Sequence, residues 1–166
     1  MNSHETESRI LAIYLNSRGF GFAVLEGPDR LVDWGVVHVP GGNRRRTLSK
    51  LAVIANRYQP DHLVTGHPKK SPHRGVRVRH LLTAIINVAS NKRIQRTGLS
   101  RAQVRRVFSK SRATTKRAIA MTIADHFPEL EPRLPPVRKP WMSEDTRMAI
   151  FDAVALGLSL LLLHDL

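Results

Sequence analysis

The spacing of apolar and polar positions changes period along this chain. Ile10-Leu11-Ala12-Ile13-Tyr14 is an apolar, β-branched run that predicts a strand. Asn16-Ser17-Arg18-Gly19 predicts a turn, Phe20 to Leu25 a second strand, Gly27-Pro28-Asp29-Arg30 another turn, and Leu31 to Val39 a third strand. Short turns between successive strands predict an antiparallel meander. After Pro40-Gly41-Gly42 the period becomes helical, with Leu48, Leu51, Ala52, Ile54 and Ala55 on one face and Pro60 as the stop. His62 to Thr65 predicts a short strand, and Gly66 to Gly75 a basic, proline-containing loop. Val78 to Ala89 reads as a helix with Leu81, Leu82, Ile85, Ile86 and Ala89 inward, and Ile94 to Thr97 as a fifth strand.

Three more helices are expected. Ser100 can cap a helix over 101–108, and Thr114 or Thr115 can cap one reaching His126. Residues 128–142 are proline-rich and predict an irregular linker. Ser143 is the expected cap of the last helix, with Glu144 and Asp145 in its first turn, where the helix dipole favours acids. The order β-β-β-α-β-α-β-α-α-α predicts an α/β fold: one domain over 1–166, a mixed five-stranded sheet with helices on both faces, and a frayed polar start at 1–8.

Composition narrows the class. The 166 residues are 42% hydrophobic, enough for one packed core. The absence of cysteine excludes disulfides, a thiol nucleophile and Cys-based zinc sites. Met1 to Glu5 shows no basic start followed by an apolar run, so no secretory signal is expected, and cytoplasmic residence is. The longest apolar stretch, Ala153 to Leu163, is too short for a bilayer, so no membrane partner is expected.

Charge changes the picture most. Lys plus Arg number 27 against 13 Asp plus Glu, a formal +14. No acid occurs between Asp61 and Asp125, while fifteen basic residues do. Twelve of these are the candidate contacts to a polyanion: Lys69, Lys70, Arg74, Arg77, Arg79, Arg101, Arg105, Arg106, Lys110, Arg112, Lys116 and Arg117. A one-sign field of this kind predicts nucleic acid, DNA ahead of RNA. An acidic protein partner fits the same charge, which leaves a basic protein-interaction module as an alternative.

Four local strings, in order, resemble the RuvC-like branch of the RNase H-like superfamily, the Holliday junction resolvase family. Ile10 to Leu25 is similar to its opening, where a strand ends in an Asp-Pro-Gly-like turn before a Gly-aromatic-Gly strand. Pro60-Asp61-His62-Leu63-Val64-Thr65-Gly66 looks like the strand that ends in a catalytic Glu. Leu99 to Arg106, through Thr115-Lys116, is similar to the Ser-x-x-x-Val-Lys helix and the Lys-containing helix after it. Phe151 to Leu158 looks like the Asp-Ala-x-Ala-x-Ala-Leu helix that supplies the last carboxylate.

The resemblance implies two-metal phosphodiester hydrolysis with Mg²⁺ or Mn²⁺, and a homodimer joined through the helix after the fourth strand. The metals would stabilise the attacking and leaving oxygens, and they need three or four converging carboxylates. Asp152 stands at the family position in the last helix. Asp145, seven residues earlier, is expected near the same face, with Glu144 one residue off it. Asp152 and Asp145 are therefore the candidate metal ligands, and Glu144 joins them as a candidate catalytic acid. The other end of the set is missing. Tyr14 stands where the first strand should end in Asp, and Gly66, followed by His67, where the fourth should end in Glu. A phenol of pKa about 10 is a poor Mg²⁺ ligand, and imidazole favours transition metals.

Each candidate also has a structural explanation. Asp152 among apolar neighbours could neutralise an Arg. Glu144 and Asp145 could serve the helix dipole, His67 a loop, and Tyr14 a packed or base-stacking position. The sequence thus predicts a nucleic-acid-binding, catalytically degenerate nuclease fold with no cofactor. The alternative is an active structure-specific endonuclease using Asp152, Asp145 and Glu144, and requiring Mg²⁺ or Mn²⁺. Under either reading Tyr14 should end the first strand facing helix 143–164.

Overall fold

The computed structural model describes residues 7–67, 76–91 and 93–164. Lys69, Lys70 and Arg74 lie outside these residues. The chain runs β1 (Arg9–Asn16), β2 (Gly19–Glu26), β3 (Leu31–His38), a 3₁₀ turn at Pro40–Gly42, α1 (Arg44–Tyr58), β4 (His62–Gly66), α2 (Val76–Asn91), β5 (Gln95–Leu99), α3 (Arg101–Ser109), α4 (Lys116–His126), a 3₁₀ segment at Pro128–Arg133, and α5 (Met148–His164). The sheet order is β3-β2-β1-β4-β5. The β1–β2 and β2–β3 pairs are antiparallel, and β1–β4 and β4–β5 are parallel. This is the mixed sheet that the strand pattern predicts. No helix among the described residues is long and apolar enough to cross a membrane.

Side-chain alternation along β1 divides two cores. Leu11, Ile13 and Leu15 join Phe20, Phe22 and Val24 of β2 beneath α1 and α2, where Leu51, Leu81 and Ile85 close the layer. Ile10 and Ala12 face the other way with Ala23, Leu25 and Val64, against α3, α4 and α5. On that second face α5 is seated on small residues. A Cβ added at Gly21 would meet the Ala149 carbonyl oxygen at 2.1 Å, and one at Gly157 would meet Leu25 Cδ1 at 2.5 Å. Larger residues would lift α5 off β2, so these glycines set the height of the helix that carries Asp152.

Helix ends follow the expected capping at two positions. Ser100 Oγ accepts from Gln103 N while the Gln103 side chain accepts from Ser100 N, a reciprocal capping box for α3. Thr115, of the two candidates, caps α4 through Ala118 N at 3.1 Å.

The last helix departs from expectation. It begins at Met148, not at Ser143, and Ser143, Glu144 and Asp145 all precede it. Asp145 takes over the role expected of Ser143: its Oδ1 accepts from Arg147 N at 2.9 Å and its backbone carbonyl from Met148 N at 3.0 Å. An aspartate caps as well as a serine, and this one lies closer to the apolar run that nucleates the helix. The two-turn helical spacing that placed Asp145 beside Asp152 therefore does not apply, and Glu144 is not a first-turn dipole partner.

Candidate functional site

The parallel strands deliver the site to one end of the sheet. Tyr14 lies near the C-terminal end of β1, opposite Gly21, on the face shared by Ile10 and Ala12. The β1–β4 register pairs Ile13 with Thr65, so Gly66 is level with Tyr14, and its alternation with Val64 puts it on the same face. β5 ends at the same level with Leu99 opposite Gly66, and Ser100 then starts α3. Asp152 approaches from the second turn of α5, its side chain 13% exposed.

One cation gathers these groups. Lys116, the first residue of α4, places Nζ 3.1 Å from Asp152 Oδ2 and 2.5 Å from Glu144 Oε1. It donates to Tyr14 Oη at 3.5 Å and lies 5.2 Å from the Tyr14 ring centroid. Burial opposes the charge on Lys116. The Asp152 carboxylate, Tyr14 and the Glu144 hydrogen bond outweigh it and hold the lysine pKa above its ordinary range. Local structure alone disfavours this arrangement. The first turn of α4 carries Lys116 and Arg117 with no acid, against the helix dipole. Asp152 and Glu144 supply the negative charge that the helix itself lacks.

The two predicted metal ligands make separate ion pairs. Asp145 is committed to its neighbour: Arg147 Nη2 lies 2.7 Å from its Oδ2, and these hydrogen bonds hold its carboxyl below the usual carboxylate range. Glu144, one residue away, reaches Lys116 instead. Among the described residues no three His, Cys, Asp or Glu groups are placed to hold a metal ion. At the strand ends stand a phenol and a glycine. The His67 backbone N–H donates to Leu99 O at 2.9 Å, and a Cβ added at Gly98 would lie 3.5 Å from the His67 ring. A phenol, an ammonium and two carboxylates do not fit a pair of hard divalent cations, which require a mostly anionic oxygen set.

The other acids near the early strands serve the opposite end of the sheet. Glu26 is bound by Arg9 and Arg30, and Asp33 accepts from the Tyr58 hydroxyl, a bond that raises the tyrosine pKa. A polar cleft of about 480 Å³ at that end, bordered by Asn56, Gln59, Asp61 and Arg93, is remote from Asp152 in the topology.

The basic candidates divide into groups. Arg101, Arg105 and Arg106 on α3, with Lys110 and Arg112 just beyond it, are exposed, while Phe108 anchors α3 to the core. Lys116 is drawn into the carboxylate cluster, and Arg117 Nη1 donates to Pro135 O at 2.6 Å. Arg77 and Arg79 belong to the first turn of α2. From sequence, Lys116 reads as one of twelve candidate phosphate contacts and as part of the Thr115-Lys116 string that resembles the family's Lys-containing helix, but its ion-pair partners do not show. The detectable signal is the pair of cations opening a helix with no acid beside them.

No protein-family model matches the sequence, and no curated protein sequence matches it. Solved structures do. RuvC from Thermus thermophilus superposes with a TM-score of 0.63 at 16% identity, covering 91% of this chain and 92% of that one. T. thermophilus RuvC in complex with Holliday junction substrate gives the same score and identity, covering 92% and 91%. The chain has a RuvC-like, RNase H-like fold.

Proposed function

We propose that this chain binds nucleic acid, structured or branched DNA in particular, as a catalytically degenerate nuclease fold. The observation that carries the reading is the Lys116 ammonium lodged among Tyr14, Glu144 and Asp152, at the strand ends where this fold would gather metal-binding carboxylates. An internal cation there neutralises the remaining acids without supplying a Lewis acid or an activated water. The exposed arginines of α3 begin at the same sheet edge and supply phosphate contacts, which position a duplex without reading its sequence. The resolvase of like fold is seen with a Holliday junction, which supports DNA, and branched DNA, as the ligand to test first. As a homodimer the chain would offer two such edges to the arms of a junction.

The direct experiment is equilibrium binding of labelled four-way junction and linear duplex in the presence of a chelator. Tight, metal-independent binding that favours the junction supports the proposal. Binding that needs a divalent cation contradicts it.

One observation favours a second reading. Glu144 and Asp152 come from different segments yet both contact the same atom, Lys116 Nζ. Withdrawal of Lys116 towards a phosphate would leave two carboxylates near one point, the start of a rearranged site using Mg²⁺ or Mn²⁺. Asp145 would need to leave Arg147 to join them.

A further inference from the structure

The linker between the 3₁₀ segment and α5 carries an unusual surface. Val137, Trp141 and Met142 are exposed, Trp141 at 78%, and Arg138 and Lys139 beside them are exposed as well. An indole is among the most costly side chains to leave in water. Its position is not that of a loose tail. Arg117 ties the linker to α4 through Pro135 O, and Pro135 is buried. Met142 N donates to Lys139 O at 3.0 Å, closing a turn with Pro140 in its second position and Trp141 in its third. Proline there fixes the backbone in advance of any ligand. Glu144, three residues after Trp141, is held by Lys116. The indole is thus displayed on a turn anchored at both ends, next to the cluster described above.

We infer that Trp141 is a stacking platform for an unpaired nucleobase, with Arg138 and Lys139 taking the adjoining phosphates. This rests on the nucleic-acid reading and extends it to a specific feature, unpaired bases such as those at a flap or a strand exchange point. The chemistry favours a base over a second protein. One indole, one valine and one methionine form a patch too small for a stable protein interface, whereas stacking needs only one ring face. Lys139 Nζ, 5.4 Å from the indole centroid, supplies a cation at the ring. The flanking positive charges of Arg138 and Lys139, in a chain of formal charge +14, attract a polyanion to this turn.

The test compares wild type, Trp141→Ala and Trp141→Phe on two labelled oligonucleotides, a full duplex and the same duplex bearing a short unpaired thymine flap. Trp141 lies outside the core, so its replacement leaves the fold intact, which circular dichroism checks. The expected result is an affinity loss of about 5- to 100-fold for the flap with Trp141→Ala, little change on the duplex, and substantial rescue by Trp141→Phe. In a Trp34→Phe background, which leaves Trp141 as the single tryptophan, flap binding should also quench the emission. Equal losses on both ligands, or no loss on either, would overturn the stacking assignment while leaving nucleic-acid binding standing. An emission shift driven by protein concentration alone would assign the indole to a contact between copies and overturn it too. Failure of wild type to bind either oligonucleotide would remove the nucleic-acid reading itself.

Discussion

Lys116 Nζ lies 3.1 Å from Asp152 Oδ2, an ion pair between the first residue of α4 and the second turn of α5. Asp152 Oδ2 is closed to solvent, so the pairing acts in a medium that screens it poorly. The same ammonium touches Glu144 and Tyr14, which makes it the point where the linker, α4, α5 and β1 meet.

Replacing Lys116 with Met should therefore cost stability, because it removes the ammonium that neutralises the Asp152 carboxylate. A fully buried pair loses about 3–5 kcal/mol when one partner is removed, and partial exposure of Lys116 lowers the expectation to about 2–3 kcal/mol. Adding Asp152→Asn should recover much of the loss. The pH dependence has a definite sign. The lysine pKa is raised on folding, so its contribution is complete below the ordinary lysine value and fades as pH climbs through the folded one. Urea denaturation should show a gap between wild type and Lys116→Met that is level from neutral pH to about pH 10 and closes above it.

Arg101, Arg105 and Arg106 are exposed on one short helix, with Arg101 and Arg105 one turn apart. Changing all three to Gln should weaken DNA binding and flatten the plot of log affinity against log salt, by about 0.9 in slope for each phosphate no longer neutralised. The measurement is fluorescence anisotropy over a salt series. An unchanged slope would place the phosphate track elsewhere, for example on the exposed Arg44, Arg45 and Arg46 of α1.

Much of the fold was legible in the sequence because its signals are local. The alternation of Ile10, Ala12 and Tyr14 against Leu11, Ile13 and Leu15, the short turns, and the Ser100 and Thr115 caps each act within a few residues. The meeting of Tyr14 with the Asp152 cluster also followed, through Lys116, from strand order and the position of the last helix. The start of that helix did not. Ser143 and Asp145 are equally good caps by type, and the choice fell to Asp145 through its bonds to Arg147 and Met148. The partners of Lys116 were hidden for a different reason. The Thr115-Lys116 string marked its helix, but an ion pair across the core has no sequence spacing, so Asp152 and Glu144 did not show as its partners.

Returning acids to the two strand ends tests whether the cluster can be converted into a metal site. Tyr14 and Gly66 are level on adjacent strands and share a face, and Gly66 lies in strand backbone outside the positive-φ glycines. Calorimetry should show Mn²⁺ binding by Tyr14→Asp with Gly66→Glu and none by wild type. The affinity should rise further when Lys116→Met is added, since the ammonium competes for the same carboxylates. A triple variant that folds yet takes up no Mn²⁺ would show that the supporting shell around Tyr14 cannot place the new acids.

The central question is whether the chain holds a junction without cutting it. A labelled four-way junction, saturated with wild-type protein in buffer containing Mg²⁺ or Mn²⁺ and then run on a denaturing gel, answers this directly. The expected result is full occupancy with intact strands in either metal. Strands cut at or near the branch point, with cutting abolished by Asp152→Asn, would contradict the account and establish the rearranged nuclease in its place.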